Sequence, residues 1–404
     1  MSQRVVIVGA GQAGAQVAIS LARATPSPDI LLIGQEEDPP YERPPLSKAF
    51  LMGQLPAERL SLRPERFYAE RGIRLRLGVR VTAIDRVAQT VTLNDQDPVA
   101  YDALVLATGA EPRRLDLPGA GGPGVCVLRS RADATALQAA LTPGIRLAVI
   151  GGGYIGLEVA AAAQAMGADV CVLEARDRLM ARTASPPIAA AFQRRHAAAG
   201  VRIALGITLL DIMRDQGVPT GITTDRGLIV ADLVVLGVGV TPEIALARQA
   251  GLPVRRGIVV DAHGRTADPQ IYACGDCADY AHPLAPQPMV IESVQNAVDQ
   301  AKAVAAAIAG TPKPYDAVPW FWSDQYDWKL QSAGLFDQTD RALIRGDPSS
   351  SSFSVCHLRQ GRLVAVESLN LTRDFVQAKA LIARGAKPDP ALLADPGTPL
   401  KSLS

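Results

Sequence analysis

Leu147-Ala148-Val149-Ile150-Gly151-Gly152-Gly153-Tyr154-Ile155-Gly156-Leu157-Glu158, an alanine-rich run, and then Val170-Cys171-Val172-Leu173-Glu174 form one reading unit. An apolar strand feeds a G-x-G-x-x-G turn, a helix follows, and a second apolar strand ends in an acid. That pattern specifies a dinucleotide-binding βαβ unit. Gly151 permits the tight turn, Gly153 lets a pyrophosphate approach the backbone, and Gly156 lets helix and strand pack closely. Unpaired N–H groups at the helix start, over Tyr154 and Ile155, suit a phosphate. Glu174 is placed to accept from a free ribose 2′-hydroxyl and to repel a 2′-phosphate, which favours NADH over NADPH. Arg176, two residues on, pulls the other way.

The same unit occurs earlier. Val5-Val6-Ile7-Val8 leads into Gly9-Ala10-Gly11-Gln12-Ala13-Gly14, then a helix, then Ile30-Leu31-Leu32-Ile33 and Gly34-Gln35-Glu36-Glu37. All-apolar runs of this length suit parallel strands covered on both faces. Position 35 is Gln, so Glu36, with Glu37 second, is the expected acceptor for an adenosine ribose. Each unit also has a late apolar strand ending at glycine: Leu104-Val105-Leu106-Ala107-Thr108-Gly109 in the first, Val234-Val235-Leu236-Gly237-Val238-Gly239 in the second. Two dinucleotide folds in one chain imply two nucleotides, most simply a bound flavin and a transient nicotinamide.

The rest of the chain fits around these units. Breakers crowd between Pro112 and Gly124, where the first domain hands over to the second. The return runs through Gly257-Ile258-Val259-Val260 and Ile271-Tyr272-Ala273-Cys274-Gly275-Asp276-Cys277-Ala278 to a helix near 293–309. Pro312 and Pro314 begin a linker. The expected division is 1–114 with 245–316 for one nucleotide, 115–244 for the other, and an α+β domain over 317–404. Between the first unit and its late strand, Pro39-Pro40-Tyr41-Glu42-Arg43-Pro44-Pro45-Leu46-Ser47-Lys48 forms a proline-stiffened loop suited to gripping an anion.

Composition bounds the function. The chain has 404 residues, 48% apolar and 20% charged, with a net charge of +1. That balance argues against a nucleic-acid binder driven by overall charge. No apolar run reaches the roughly 18–20 residues of a membrane span. Strand sequence by Arg4-Val5 leaves no room for a leader, so the protein is read as cytoplasmic. The cysteines are Cys126, Cys171, Cys274, Cys277 and Cys356. Cys274 and Cys277 make a C-x-x-C without a second ligand pair, so small buried thiols are expected rather than a metal or redox centre.

Taken together, Tyr41-Glu42-Arg43-Pro44-Pro45-Leu46-Ser47-Lys48, the Gly151–Glu158 motif, Gly275-Asp276-Cys277-Ala278, Ile291-Glu292-Ser293-Val294 and Trp320-Phe321-Trp322-Ser323-Asp324-Gln325 resemble the FAD-dependent NADH:ferredoxin reductases of oxygenase systems, the putidaredoxin and biphenyl-dioxygenase reductase type. The resemblance runs from Val5 to the last strands. It implies a glutathione-reductase-like α/β fold with two Rossmann-like domains and a C-terminal α+β domain. It further implies that Asp276 bonds the ribityl chain and that Ala13, Arg43, Lys48, Val81, Arg129 and Val294 line the FAD site. Gln35 departs from relatives that carry an acid there.

Lys48 and Glu158 resemble the pair beside the flavin ring, and Glu158 is expected to reach from the nicotinamide domain to Lys48 in the other. A lysine there can stabilise the anion that hydride transfer creates, with the carboxylate holding it in place. Disulfide reductases of this fold carry a C-x-x-x-x-C pair near the proline loop, but no cysteine precedes Cys126 here. Electrons are therefore expected to leave singly, to an external one-electron carrier that the resemblance identifies as a [2Fe–2S] ferredoxin. The resemblance places Trp320 and Trp322 near the exposed flavin edge where the ferredoxin docks. Such partners are acidic, so a basic patch is expected, with Arg63, Lys302 and Lys329 as candidates. A redox sensor, or a reductase of rubredoxin, oxygen or quinone, is the alternative. A monomer or weak dimer is expected.

Overall fold

Val5, Val6 and Ile7 are fully buried, and so are Ala148 and Val149. These runs form the central strands of two parallel sheets. The structure is a computed structural model describing residues 3–94, 98–336 and 339–403. It resolves into two compact units. One holds the described residues up to Glu42, Leu60–Glu111 and Thr241–Phe321; the other holds Arg43–Arg59, Pro112–Val240 and the chain from Trp322 onward.

In the first unit the sheet order is Ile271–Ala273, Ala103–Leu106, Arg4–Val8, Asp29–Ile33, Ile73–Arg76, all parallel. Helices Gln12–Leu21 and Val294–Ile308 cover one face, with Val17, Ala18, Ala301 and Val304 in a shared core. Strands Val81–Asp85, Thr90–Leu93 and Val99–Ala100 make a small antiparallel sheet.

The second unit repeats this plan. Its parallel sheet runs Arg202–Leu205, Asp169–Glu174, Arg146–Ile150, Leu233–Leu236, Val125–Cys126. Leu209–Asp215, Val218–Thr224 and Gly227–Val230 form the matching antiparallel sheet. Strand Trp320–Gln325 then carries the chain into this unit. Antiparallel strands Trp328–Gly334, Arg362–Leu369, Phe353–Arg359 and Arg341–Gly346 follow in that spatial order, with helix Thr372–Arg384.

The chain passes between units at 111/112 and 240/241, a few residues before the expected handovers. The loop Arg43–Arg59, expected in the first domain, groups with the second unit. Hydrogen bonds explain why. Gln138 Nε2 donates to the Phe50 and Leu51 carbonyls at 2.9 and 3.1 Å, and Arg43 Nη1 donates to the Arg129 carbonyl at 2.6 Å.

The C-terminal residues, expected to stand as a third domain, join the second unit through a buried carboxylate. The Ser185 N–H donates to Glu367 Oε1 at 2.9 Å, and His357 Nε2 lies 2.8 Å from Glu367 Oε2. Glu367 is fully buried. Glu367→Ala should therefore lower stability by on the order of 3 kcal/mol, because two buried polar groups lose their acceptor. Glu367→Gln, which keeps an acceptor oxygen, should lose less; equal urea midpoints for E367A and the parent would contradict this.

No helix among the described residues is long and apolar enough to cross a membrane.

Candidate active site

In the first unit, neighbouring parallel strands deliver their C-terminal ends to one edge, where an open α/β sheet binds ligands. Gly9 follows Arg4–Val8, Thr108 and Gly109 follow Ala103–Leu106, and Asp276 follows Ile271–Ala273. Glu36 lies just beyond Asp29–Ile33, half-buried, and accepts from the Tyr41 hydroxyl at 2.6 Å. Gln35 and Glu37 are exposed. Gly275 sits against Ala13, since a Cβ added at Gly275 would stand 3.0 Å from the Ala13 Cβ. Val294 opens its helix, which Ser293 caps by accepting from the Asn296 N–H at 3.0 Å. Thr108 Oγ1 donates to the Glu243 carbonyl at 2.6 Å. Val81 is buried at the start of its own strand.

The glycines separate into two classes. At Gly9 a Cβ would lie 2.2 Å from the Ala107 carbonyl oxygen, and at Gly14 it would lie 1.9 Å from the Gly9 oxygen. Packing requires those two. At Gly11 a Cβ meets nothing within 4 Å, so no neighbour in the fold demands glycine there. The second unit shows the same split. Cβ atoms at Gly151 and Gly156 would strike backbone oxygens at 2.4 and 2.2 Å, whereas at Gly153 only the Gly237 oxygen lies within range, at 4.0 Å. Each turn thus keeps one glycine whose open side fits a pyrophosphate at the start of a helix without a side-chain cap.

Around the second turn, Glu174 Oε2 accepts from the Gly152 N–H at 2.7 Å and Oε1 from the Arg176 N–H at 2.9 Å. The acid is therefore fixed at the turn, with lone pairs left for a hydroxyl. Arg176 contributes its backbone, and its side chain is exposed. Tyr154 donates its hydroxyl to the Thr183 carbonyl at 2.8 Å, Ile155 is 47% exposed, and Gly239, with φ +96°, lies beyond Leu233–Leu236. Glu174→Ala should raise the KM for NADH about tenfold, the loss of one polar contact, and lower that for NADPH, whose 2′-phosphate no longer meets a like charge; an unchanged ratio of the two would remove Glu174 from the ribose site.

The same unit contains the ion pair. Pro44–Ser47 forms a 3₁₀ turn, and Lys48 Nζ donates to Glu158 Oε2 at 2.5 Å and to the Pro44 carbonyl at 3.2 Å. Ser47 Oγ donates to the same Oε2 at 2.5 Å, and Ser323 Oγ donates to Oε1 at 2.6 Å. The Glu158 side chain is 5% exposed and Lys48 19%. Such pairs are costly to desolvate and stand only when the remaining lone pairs are satisfied; the two serines do that. Trp320 lies at the end of the first unit, its N–H donating to Gln295 Oε1 at 3.0 Å.

Cys274 and Cys277 are fully buried. Burial pushes both thiols up, Cys274 strongly, and Cys277 donates to the Leu106 carbonyl. Thiols so held are poor nucleophiles and ligands.

Residues 3–301 match the family model described as pyridine nucleotide-disulphide oxidoreductase. The chain belongs to that family. Residues 320–404 match a second model, reductase C-terminal. Among pyridine nucleotide-disulphide oxidoreductases, the chain is 45% identical over 398 residues to rhodocoxin reductase of Rhodococcus erythropolis, covering 98% of this chain and 93% of the relative. It is 41% identical over 409 residues to putidaredoxin reductase of Pseudomonas putida, covering 100% and 97%. Its fold is similar to that in a covalent putidaredoxin reductase–putidaredoxin complex, with TM-score 0.96, 40% identity and coverage of 99% and 97%. The protein is an oxidoreductase, and FAD and NAD(H) are its cofactors.

The sequence did not mark Ser47, Ser323, Gln325 or His196 as members of the site. Ser47, Ser323 and Gln325 fall inside quoted motifs and carried a signal of position; His196 carried none.

Proposed function

We propose that this chain is the NADH-dependent reductase that passes electrons singly to a [2Fe–2S] ferredoxin serving a cytochrome monooxygenase or a ring-hydroxylating dioxygenase, in the cytoplasm. The observation that carries the reading is full-length similarity to rhodocoxin and putidaredoxin reductases and to a ferredoxin–NAD(P)(+) reductase of Sphingomonas, 44% identical over 403 residues, in a chain with no cysteine before Cys126. The sequence holds no cysteine pair near the proline-stiffened loop that could take an electron pair as a dithiol does. When bound, the nicotinamide supplies a hydride and the flavin divides its two electrons into single steps.

The chain's own residues then have these roles. Gly9, Gly11, Ala13, Gly14, Glu36, Val81, Thr108, Gly109, Asp276 and Val294, with Arg43, Lys48 and Arg129, hold FAD. Gly151, Gly153, Tyr154, Ile155, Gly156, Glu174 and Gly239 hold NADH. Lys48, fixed by Glu158, supplies positive charge where hydride transfer creates negative charge. Trp320 serves the electron exit. Arg63, Lys302 and Lys329 are all exposed and form the docking set. Lys302 also pairs with Asp299 at 2.9 Å, which weakens its pull on a partner.

One further likeness favours a second acceptor: a rubredoxin–NAD(+) reductase of Pseudomonas putida is 39% identical over 370 residues. Anaerobic NADH should bleach the flavin absorbance rapidly, and a [2Fe–2S] ferredoxin from the same genome should then be reduced faster than rubredoxin, quinone or oxygen. Fast bleaching with no delivery to any ferredoxin would overturn the proposal and favour a sensor.

A further inference from the structure

Glu158 is the end of a longer line of buried polar groups. Ser323 Oγ, which donates to Glu158 Oε1, lies 3.1 Å from Gln325 Nε2. Gln325 Oε1 lies 2.8 Å from His196 Nε2, and His196 Nδ1 lies 3.2 Å from the Tyr326 hydroxyl. Ser323 and His196 are fully buried and Gln325 is 1% exposed. Only Tyr326, half-buried beneath the Arg195 guanidinium 4.1 Å from its ring, approaches solvent.

The direction of every bond follows from the carboxylate. Glu158 paired with Lys48 is acceptor-only, so Ser323 must give it its single proton. Ser323 Oγ must then accept, which turns the Gln325 amide N–H₂ toward it and the carbonyl toward His196. His196 must carry its proton on Nε2. Burial pushes the ring below its ordinary value, with Arg195 adding to the effect and the Gln325 bond opposing it. The ring is thus neutral at neutral pH, and bare Nδ1 accepts from Tyr326. Four donors point one way, an arrangement in which each bond polarises the next.

We infer that Ser323, Gln325, His196 and Tyr326 form an orientation relay that positions Glu158, and through it Lys48, and fixes the His196 tautomer from the charge of a carboxylate three hydrogen bonds away. The inference rests on the proposed role of the Lys48–Glu158 pair. The amide of Gln325 passes on orientation and carries no proton, so the line is a positioning device and not a proton path.

A Glu158→Gln substitution tests it. Lys48 is donor-only, so the new carbonyl oxygen must stay on the Lys48 and Ser47 side and the new N–H₂ must face Ser323. Each bond in the line then reverses, and His196 must move its proton to Nδ1 and donate to Tyr326. In full-length flavin-loaded protein with ¹⁵N-labelled histidine, the two ring-nitrogen resonances of His196 should exchange places. His196→Gln identifies the signal among the four histidines. On a Gln325→Leu background the exchange should vanish. An unchanged tautomer in E158Q, or an exchange that persists with Q325L, would overturn the relay. Neither readout involves NADH or ferredoxin, so that failure would leave the reductase assignment standing.

Discussion

Lys48→Met should slow NADH-driven reduction of the bound flavin by about 100-fold, the scale seen when one stabilising donor is removed from developing negative charge. NADH affinity should change little, because Lys48 belongs to the set proposed to hold FAD and not to the set proposed to hold NADH. The variant should fold: Glu158 keeps two donors, Ser47 at 2.5 Å and Ser323 at 2.6 Å, and Met fills the space of the lysine stem. Lys48→Arg should not rescue the rate, since a planar fork cannot occupy the single position 2.5 Å from Glu158 Oε2 and 3.2 Å from the Pro44 carbonyl. Stopped-flow absorbance reads this directly. A K48M rate within about twofold of the parent would take Lys48 out of the reaction, whatever its bond to Glu158.

Gly11→Val should yield a folded protein that has lost flavin. Its Cβ meets nothing within 4 Å, and Gly11 has φ −80°, open to any residue. The added carbons instead stand where the first turn leaves room for a pyrophosphate. Forced overlap of that kind costs a few kcal/mol, or at least about 100-fold in FAD affinity. Gly9→Ala behaves differently: its Cβ would lie 2.2 Å from the Ala107 oxygen at φ +109°, so stability itself should fall. Gly153→Val should retain FAD and raise the KM for NADH. Circular dichroism and flavin absorbance separate these outcomes. A G11V protein that purifies with full flavin would contradict the assignment of the turn.

Both nucleotide units were legible because their information is local. A four-residue apolar run, glycines at fixed spacing and a following helix lie within about thirty residues of one another. The placement of Arg43–Arg59 was not, because it rests on Gln138 and Arg129, some ninety residues away along the chain. Glu158 was legible as a partner of Lys48 only through resemblance, and its second oxygen is satisfied by Ser323, at a separation of 165 residues. His196 stood in an ordinary helix, Pro186–Ala198, with nothing in its neighbours to mark it. Burial and a tautomer are tertiary properties, so periodicity has no access to them. The C-x-x-C was legible as small buried thiols, because the sequence offers it no second ligand pair, and both cysteines are fully buried.

The two family models meet the chain as separable modules, 3–301 and 320–404. The carboxylate set does not respect that seam: Glu158 and Ser47 come from one module, Ser323 and Gln325 from the other. Recombination between relatives at the linker therefore preserves this set only where the incoming module keeps a hydroxyl at 323. A chimera that imports a C-terminal module without a hydroxyl at 323 leaves Glu158 Oε1 bare, so these two residues must be inherited together with the nucleotide folds they support.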